Sequence, residues 1–289
     1  MKKIISILTV ALLLTGSLAQ NVMAQSTQND QQREEWIYTK QIGQRTPAPY
    51  PPLREADVMW AKKVWRLIDL REKVNQPLYY PTRPKGDWYS LIDVILNTIK
   101  SGENVYAYDA DEGDDMTVQI TQTEINKKFG AGADSVWVPD LDGSGNGIWE
   151  ISENEVRSDE VKQYIVQEVW YFDSKLSSLQ VRLLGICPIR ISVNNETNAI
   201  EKRKLFWIKY DPFRRSFANN EAFNRYNDAK RISYDDMFLQ RRFSGYILAE
   251  SNVYDNRQIN DYEIGRNALL ESERIKKVIF DFEQDLWEY

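Results

Sequence analysis

Apolar and polar positions sort most sharply between residues 54 and 81, in the stretch READVMWAKKVWRLIDLREKVNQPLYYP. Laid on a helix at about 100° per residue, Trp60, Ala61, Val64, Trp65, Leu67 and Ile68 share one half of the surface. Lys62, Lys63, Arg66, Asp69 and Lys73 share the other. Two positions break the sorting: Arg71 projects from the apolar stripe, and Met59 sits among the charges. The spacing predicts an amphipathic helix that stops at the Tyr79-Tyr80-Pro81 turn. Its apolar half belongs to a core. Its basic half is either solvated or presented to a partner.

Helical spacing returns at 87–100, where Trp88, Leu91, Ile92, Ile95 and Ile99 recur on one face, with Asp87 as N-cap and Gly102 as stop. Short strands are expected at 105–108 and 116–120, and Thr121 or Thr123 should cap a brief helix ending at Gly130. A small α+β unit can close over 53–130. Beyond it, branched and aromatic residues concentrate at 135–139, 147–152, 163–173, 180–192 and 202–210, with separations that suit antiparallel pairing. Asn194-Asn195-Glu196-Thr197 reads as a hairpin turn, and helix is expected again at 233–242 and 267–282. The fold class is α+β, with N-terminal helices, then a mainly antiparallel sheet and C-terminal helices over 131–289. Residues 57–64 and 236–243 echo one another, each setting a basic pair between large apolar residues. Either a helical module is duplicated or a short amphipathic pattern recurs by chance.

At the start, Lys2 and Lys3 precede an apolar run at 4–14, and Val22-Met23-Ala24 ends the segment before Gln25. That layout is a secretory signal peptide over 1–24, and its apolar run is short for a bilayer span. No cysteine follows it closely, so lipid attachment there is not expected. An extended arm follows over 25–52. Within it, IYTKQIGQRTPAPYPP has four prolines, which suits polyproline conformation. The arm is either a surface linker or a clasp that docks on a neighbour through Tyr38 and Tyr50.

Composition narrows the chemistry. The net charge of −6 becomes more negative once Lys2 and Lys3 leave with the signal peptide. An acidic chain is a poor nucleic-acid partner, because binding there relies on a basic face that releases counterions. Cys187 is the only cysteine, so no intramolecular disulfide can form, and its apolar neighbours suggest a buried thiol. Histidine is absent, which removes serine–histidine and cysteine–histidine catalysis and the usual zinc ligands. An enzyme would have to work with carboxylates, as glycoside hydrolases do. Nine tryptophans and sixteen tyrosines would suit sugar stacking, but no carboxylate pair can be named. A secreted carbohydrate-active or carbohydrate-binding protein is therefore the alternative to a protein-binding subunit.

One loop resembles a calcium site. Asp140, Asp142, Ser144 and Glu150 offer oxygen donors near the required spacing, with Gly145 at the sharp turn. Ile151 stands where the bidentate acid belongs, and the preceding segment looks like a strand. A glycine-rich hairpin turn explains the same residues without an ion, so no cofactor is expected beyond a weak possibility of calcium. Asp109, Asp111, Glu112, Asp114 and Asp115 read as a solvated acidic loop. The remaining candidates are partner-binding side chains: Tyr38, Tyr50, Met59, Lys62, Lys63, Arg66, Arg71, Arg241 and Arg242.

The stretch at 54–81 resembles the signature of the GldN/PorN family. VWYFDSKLSSLQVRLLGICPI at 169–189, KLFWIKYDPFRR at 204–215 (read as a strand) and SYDDMFLQRRFSGYILAESN at 233–252 resemble further family blocks, in order. The resemblance implies a periplasmic component of the type IX secretion and gliding-motility machinery of Bacteroidetes. It also implies a ring at the outer membrane with a GldK/PorK-like lipoprotein, and contact with the periplasmic part of a GldM/PorM-like motor subunit. It supplies no catalytic residue. The expected protein is thus non-catalytic, self-associating and held at the outer membrane by its partner, with no span of its own after signal cleavage.

Overall fold

The computed structural model describes residues 45–85, 88–102, 104–131, 133–139, 147–153, 156–193, 199–227, 229–230 and 232–285, with backbone alone at 133–139 and 147–153. The strands are β1 (Val58–Asp69), β2 (Ala107–Asp109), β3 (Gln119–Ile120), β4 (Ala133–Pro139), β5 (Gly147–Glu153) and β6 (Val161–Asp173). Then come β7 (Ser178–Val193), β8 (Ile200–Lys204), β9 (Phe206–Lys209), β10 (Glu221–Ala222), β11 (Ile232–Ser233) and β12 (Tyr246–Glu250). The helices are α1 (Gln76–Tyr79), α2 (Leu91–Ser101), α3 (Gln122–Lys128), α4 (Tyr210–Asn219), α5 (Tyr234–Leu239) and α6 (Arg266–Asp285).

The main sheet runs β12-β1-β6-β7-β9-β2-β3, with β8 also on β7, and its pairings are antiparallel. The α+β class therefore holds. The opening element does not: residues 58–69 form a strand, not a helix. β1 pairs with β6 along most of its length and with β12 on its other edge. Val64, Trp65, Arg66, Leu67 and Ile68 are all buried, so both faces of this strand are covered. A strand buried on both faces carries a near-continuous apolar run, and such a run satisfies a helical wheel by accident. The branched and aromatic residues in it favour the extended form.

Two further expectations change with this one. β1 and β2, from the stretch 53–130, pair with β6 and β9, from 131–289, so the two stretches share one sheet. Residues 57–64 are mostly strand whereas 236–239 lie in α5, so their echo is not a repeated helical module.

One sheet face lies under helices. Ile68, Val166, Ile186 and Ile208 pack there with Leu91 and Ile95 of α2, Phe213 and Phe217 of α4, and Phe238 of α5. On the opposite face Trp65, Leu67, Ile165, Cys187 and Trp207 cluster with Ala110 and Met116. The acidic segment around those last two is partly structural. Lys128 pairs with Asp109 and with Asp111 at 3.0 Å, while Asp114 accepts from Trp207 Nε1 at 3.0 Å and from Lys204 at 3.1 Å.

The helix starts follow local capping. Thr121 and Glu124 form a capping box on α3, as do Ser233 and Asp236 on α5. α2 begins at Leu91 behind the N-cap Ser90 rather than at Asp87, which lies outside the described residues, and ends at Gly102 with φ 71°. α4 occupies part of the stretch expected as strand, and Pro212 in its first turn costs no hydrogen bond. The turn expected at 194–197 lies outside the described residues; Val193 and Ile200 pair across it.

Candidate interaction surfaces

Extension of β1 redistributes the basic residues of the expected helix face. Alternation sends Lys62 and Lys63 to opposite faces of the sheet. Lys62 reaches Glu250 on β12 at 2.5 Å, and the Lys63 ammonium lies 5.9 Å from the Trp65 ring centre. Met59 sits at an irregularity in the β1–β6 register and is 70% exposed. Arg71 holds Asp69 at 2.6 Å with its own side chain largely in solvent. That contact, joined by a bond from Gln163 Nε2 at 3.0 Å, holds the Asp69 carboxyl down at about 2.

Arg66 does not face solvent; it points into the helix-covered side of the sheet. Its Nε lies 3.3 Å from Glu168 Oε1, and its Nη1 donates to the Gly245 carbonyl at 3.0 Å. Arg241 reaches the same carboxylate from the turn after α5, at 3.0 and 3.1 Å, and Trp170 Nε1 donates to it at 3.0 Å. The Glu168 side chain has no exposure to solvent. A carboxylate so deeply buried persists in charged form only when paired and hydrogen-bonded. The Arg241 guanidinium also lies 5.0 Å from the Trp170 ring centre, and burial lowers its pKa despite Glu168. These two arginines thus knit β1, β6 and the α5 turn together. Arg242 is exposed. The basic candidates do not form one face.

The described part of the arm, from Arg45 onward, lies on its own chain. Arg45 N–H donates to Asn219 Oδ1 at 2.8 Å, and Arg182 Nη2 donates to the Pro51 carbonyl at 2.8 Å. The Tyr50 ring lies between Arg214, 4.0 Å from its centre, and Arg182, at 4.8 Å. Arg214 is fixed in turn by Asp235 at 3.2 Å, and the Tyr210 hydroxyl donates to Asp235 at 2.7 Å. Tyr50 is therefore an anchor, as its place among prolines suggested, and the surface it grips belongs to the same molecule. Tyr38 lies outside the described residues.

The calcium candidates divide. Asp140, Asp142 and Ser144 lie outside the described residues, while Glu150 is on β5, opposite Val136 of β4. β4 and β5 are antiparallel neighbours, with Pro139 opposite Gly147 where the intervening residues 140–146 begin and end. Among the described residues, no group of three or more acidic or cysteine side chains is placed to hold a metal.

The helix α6 forms a surface that sequence reasoning did not single out. Ala268, Ser272, Ile275 and Ile279 face inward, in a cluster with Val64, Ile247 and Ile259. Ser272 Oγ accepts the Ile247 N–H of the edge strand β12 at 2.8 Å, which closes off an edge otherwise open to strand pairing. Phe282 stacks on Trp60 with ring centres 4.6 Å apart. The outward side is not wholly polar. Leu270 and Phe280 are more than half exposed and flank a groove of about 650 Å³ that Trp170 and Leu179 also line. Val253 and Ile264, in the connection before α6, are almost fully exposed. The signal was present in the sequence as apolar residues off the buried stripe. Among the described residues no helix is long and apolar enough to cross a membrane.

No curated protein matches the chain. A family model does: that of the gliding motility associated protein GldN matches residues 53–288, from the start of the domain nearly to the end of the chain. The match takes in β1, the long β6–β7 pair, α4, α5, β12 and α6, and the chain belongs to the GldN family of gliding-motility associated proteins.

Proposed function

We propose that this protein is an exported, non-catalytic assembly subunit, working in the periplasm as part of a type IX secretion and gliding-motility complex. It self-associates in a ring at the outer membrane with a GldK/PorK-like lipoprotein, and the assembly meets the periplasmic part of a GldM/PorM-like motor subunit. Family membership supports the gliding role. The observation that carries the binding role is the outer side of α6, where Leu270 and Phe280 border an apolar groove at the surface. A contiguous exposed apolar patch with a charged rim is the mark of a protein-binding site.

Light scattering after size exclusion of the mature chain, with and without the lipoprotein, tests this reading. The expected outcome is a large joint assembly, and Leu270→Asp with Phe280→Asp should weaken it at unchanged melting temperature. A chain that stays monomeric beside the lipoprotein would overturn the reading.

A further inference from the structure

A second surface lies away from α6. After the β1 strand the chain turns through α1 to the Tyr80-Pro81 peptide. There Pro77, Tyr80, Pro81, Trp88 and Phe223 line a cleft of about 370 Å³, within the size range of binding pockets. Tyr80 and Phe223 are about half exposed, and the Trp88 and Phe223 rings meet edge to face at 6.0 Å. Among the described residues, Lys73, Lys85 and Arg225 rim the cleft together with the carboxylate of Glu221. An occupant should therefore be aromatic or apolar, and acidic.

The chain contains such a segment. The end of α6 and the residues after it read DFEQDLWEY, with acids at Asp281, Glu283, Asp285 and Glu288 and apolar side chains at Leu286, Trp287 and Tyr289. We propose that residues 286–289 of one copy dock in the aromatic cleft of a neighbouring copy, with Trp287 against Phe223 and the acids toward the basic rim.

Reach excludes the same-chain arrangement. Phe282 is held on Trp60, near the start of β1, whereas the cleft follows the other end of that strand. Asn75, just before α1, donates to the Asp69 carbonyl at 2.8 Å. Trp60 and Asp69 are nine positions apart on the strand, about 30 Å, while Trp287 is five residues beyond Phe282 and reaches at most about 18 Å. Phe282, from which the donor segment continues, and the acceptor cleft thus lie toward opposite ends of β1. A contact between them is head-to-tail, which closes into a ring or runs on as a filament according to the rotation per subunit. This rests on the self-association proposed above and names the contact that makes it.

Cysteine cross-linking tests it in the full mature chain. Cys187 is buried and its thiol is pushed up to about 12, so it does not compete. Phe223→Cys and Trp287→Cys together, under mild oxidation, should give a ladder of disulfide-linked oligomers, and a mixture of the two single variants should give linked dimers. In a separate titration, a peptide of residues 280–289 should bind the parent chain and lose at least tenfold in affinity with Phe223→Asp. An intramolecular disulfide overturns the proposal, as does normal assembly by light scattering without the cross-link; in the second case self-association stands and only its contact is wrong. A ladder from Tyr38→Cys with Phe223→Cys, in place of the Trp287 pair, would assign the cleft to the N-terminal arm and also overturn it. A chain that neither assembles nor cross-links removes both readings.

Discussion

Arg241 lies 73 residues beyond Glu168 in sequence, yet its Nη2 sits 3.0 Å from the Glu168 carboxylate, in the space that Arg66 enters from β1. The pairing fixes the turn after α5 against the middle of the sheet. Glu168→Gln leaves two arginines facing a neutral amide, and breaking such a buried pair costs about 3–5 kcal/mol. Urea unfolding should show that loss. A triple change to apolar residues, Arg66→Met, Glu168→Leu and Arg241→Met, should recover most of it, because no charge is then left buried without a partner.

Gly245 lets that turn approach β1. A Cβ there would sit 2.4 Å from the Leu67 carbonyl oxygen, a backbone atom that cannot move aside without shifting the strand. Gly245→Ala should therefore destabilise by about 1–3 kcal/mol, as overpacked sites do. Thermal unfolding measures it, and an unchanged melting temperature would mean the strand yields freely.

Acid should unfold the protein partly through Asp69. Its folded-state pKa is lowered to about 2, chiefly by the bond from Arg71, so its stabilisation is complete above the ordinary carboxylate range. That stabilisation disappears as the pH falls through the folded value. In Asp69→Asn the contribution is missing at every pH. Stability should then fall less steeply between about pH 4 and pH 2 than in the parent. Equal slopes in denaturant titrations across that window would exclude Asp69 as a source.

Tyr50 should hold the arm through its ring rather than its hydroxyl. The ring lies between Arg182 and Arg214, while the buried hydroxyl has no hydrogen-bond partner among the described residues. Tyr50→Phe should leave stability unchanged, and Tyr50→Ala should lose about 1–2 kcal/mol of cation–π contact and expose residues 45–53 to limited proteolysis. Equal protection of both variants would show that the prolines alone seat the arm.

Calcium titration of the mature chain should give no heat and no thermal shift at millimolar concentration. β4 precedes the 140–146 segment and β5 follows it, so the segment joins two paired strands rather than the two helices of a calcium hand. Saturable heat would make Asp140, Asp142, Ser144 and Glu150 a metal loop after all.

Much of the fold was legible wherever the cause was local. Thr121 announced α3, because a cap bonds backbone within three residues of itself, and α5 falls inside the helix expected at 233–242. The strands β6 and β7 were visible to within two residues, since branched and aromatic side chains alternate along them. α4 was hidden behind a strand-like start, Phe206 to Lys209, and only Pro212 hinted at the change. The arm's anchor could be named as Tyr50 but not the surface it grips, because Arg182 and Arg214 come from distant parts of the chain.

By itself, the sequence determined the α+β class, the antiparallel pairing of the β6–β7 hairpin and family membership, all of which rest on local periodicity or on residue order. Tertiary structure decided the state of residues 58–69. VWRLI sorts as a helical stripe and also suits a strand buried on both faces, and the choice is made by β6 and β12, which supply partners for its backbone on both edges. The same pairing decided the fate of the basic residues. Alternation turned Arg66 inward to Glu168 and sent Lys62 and Lys63 to opposite faces, so a charged face that a helix would have presented never forms.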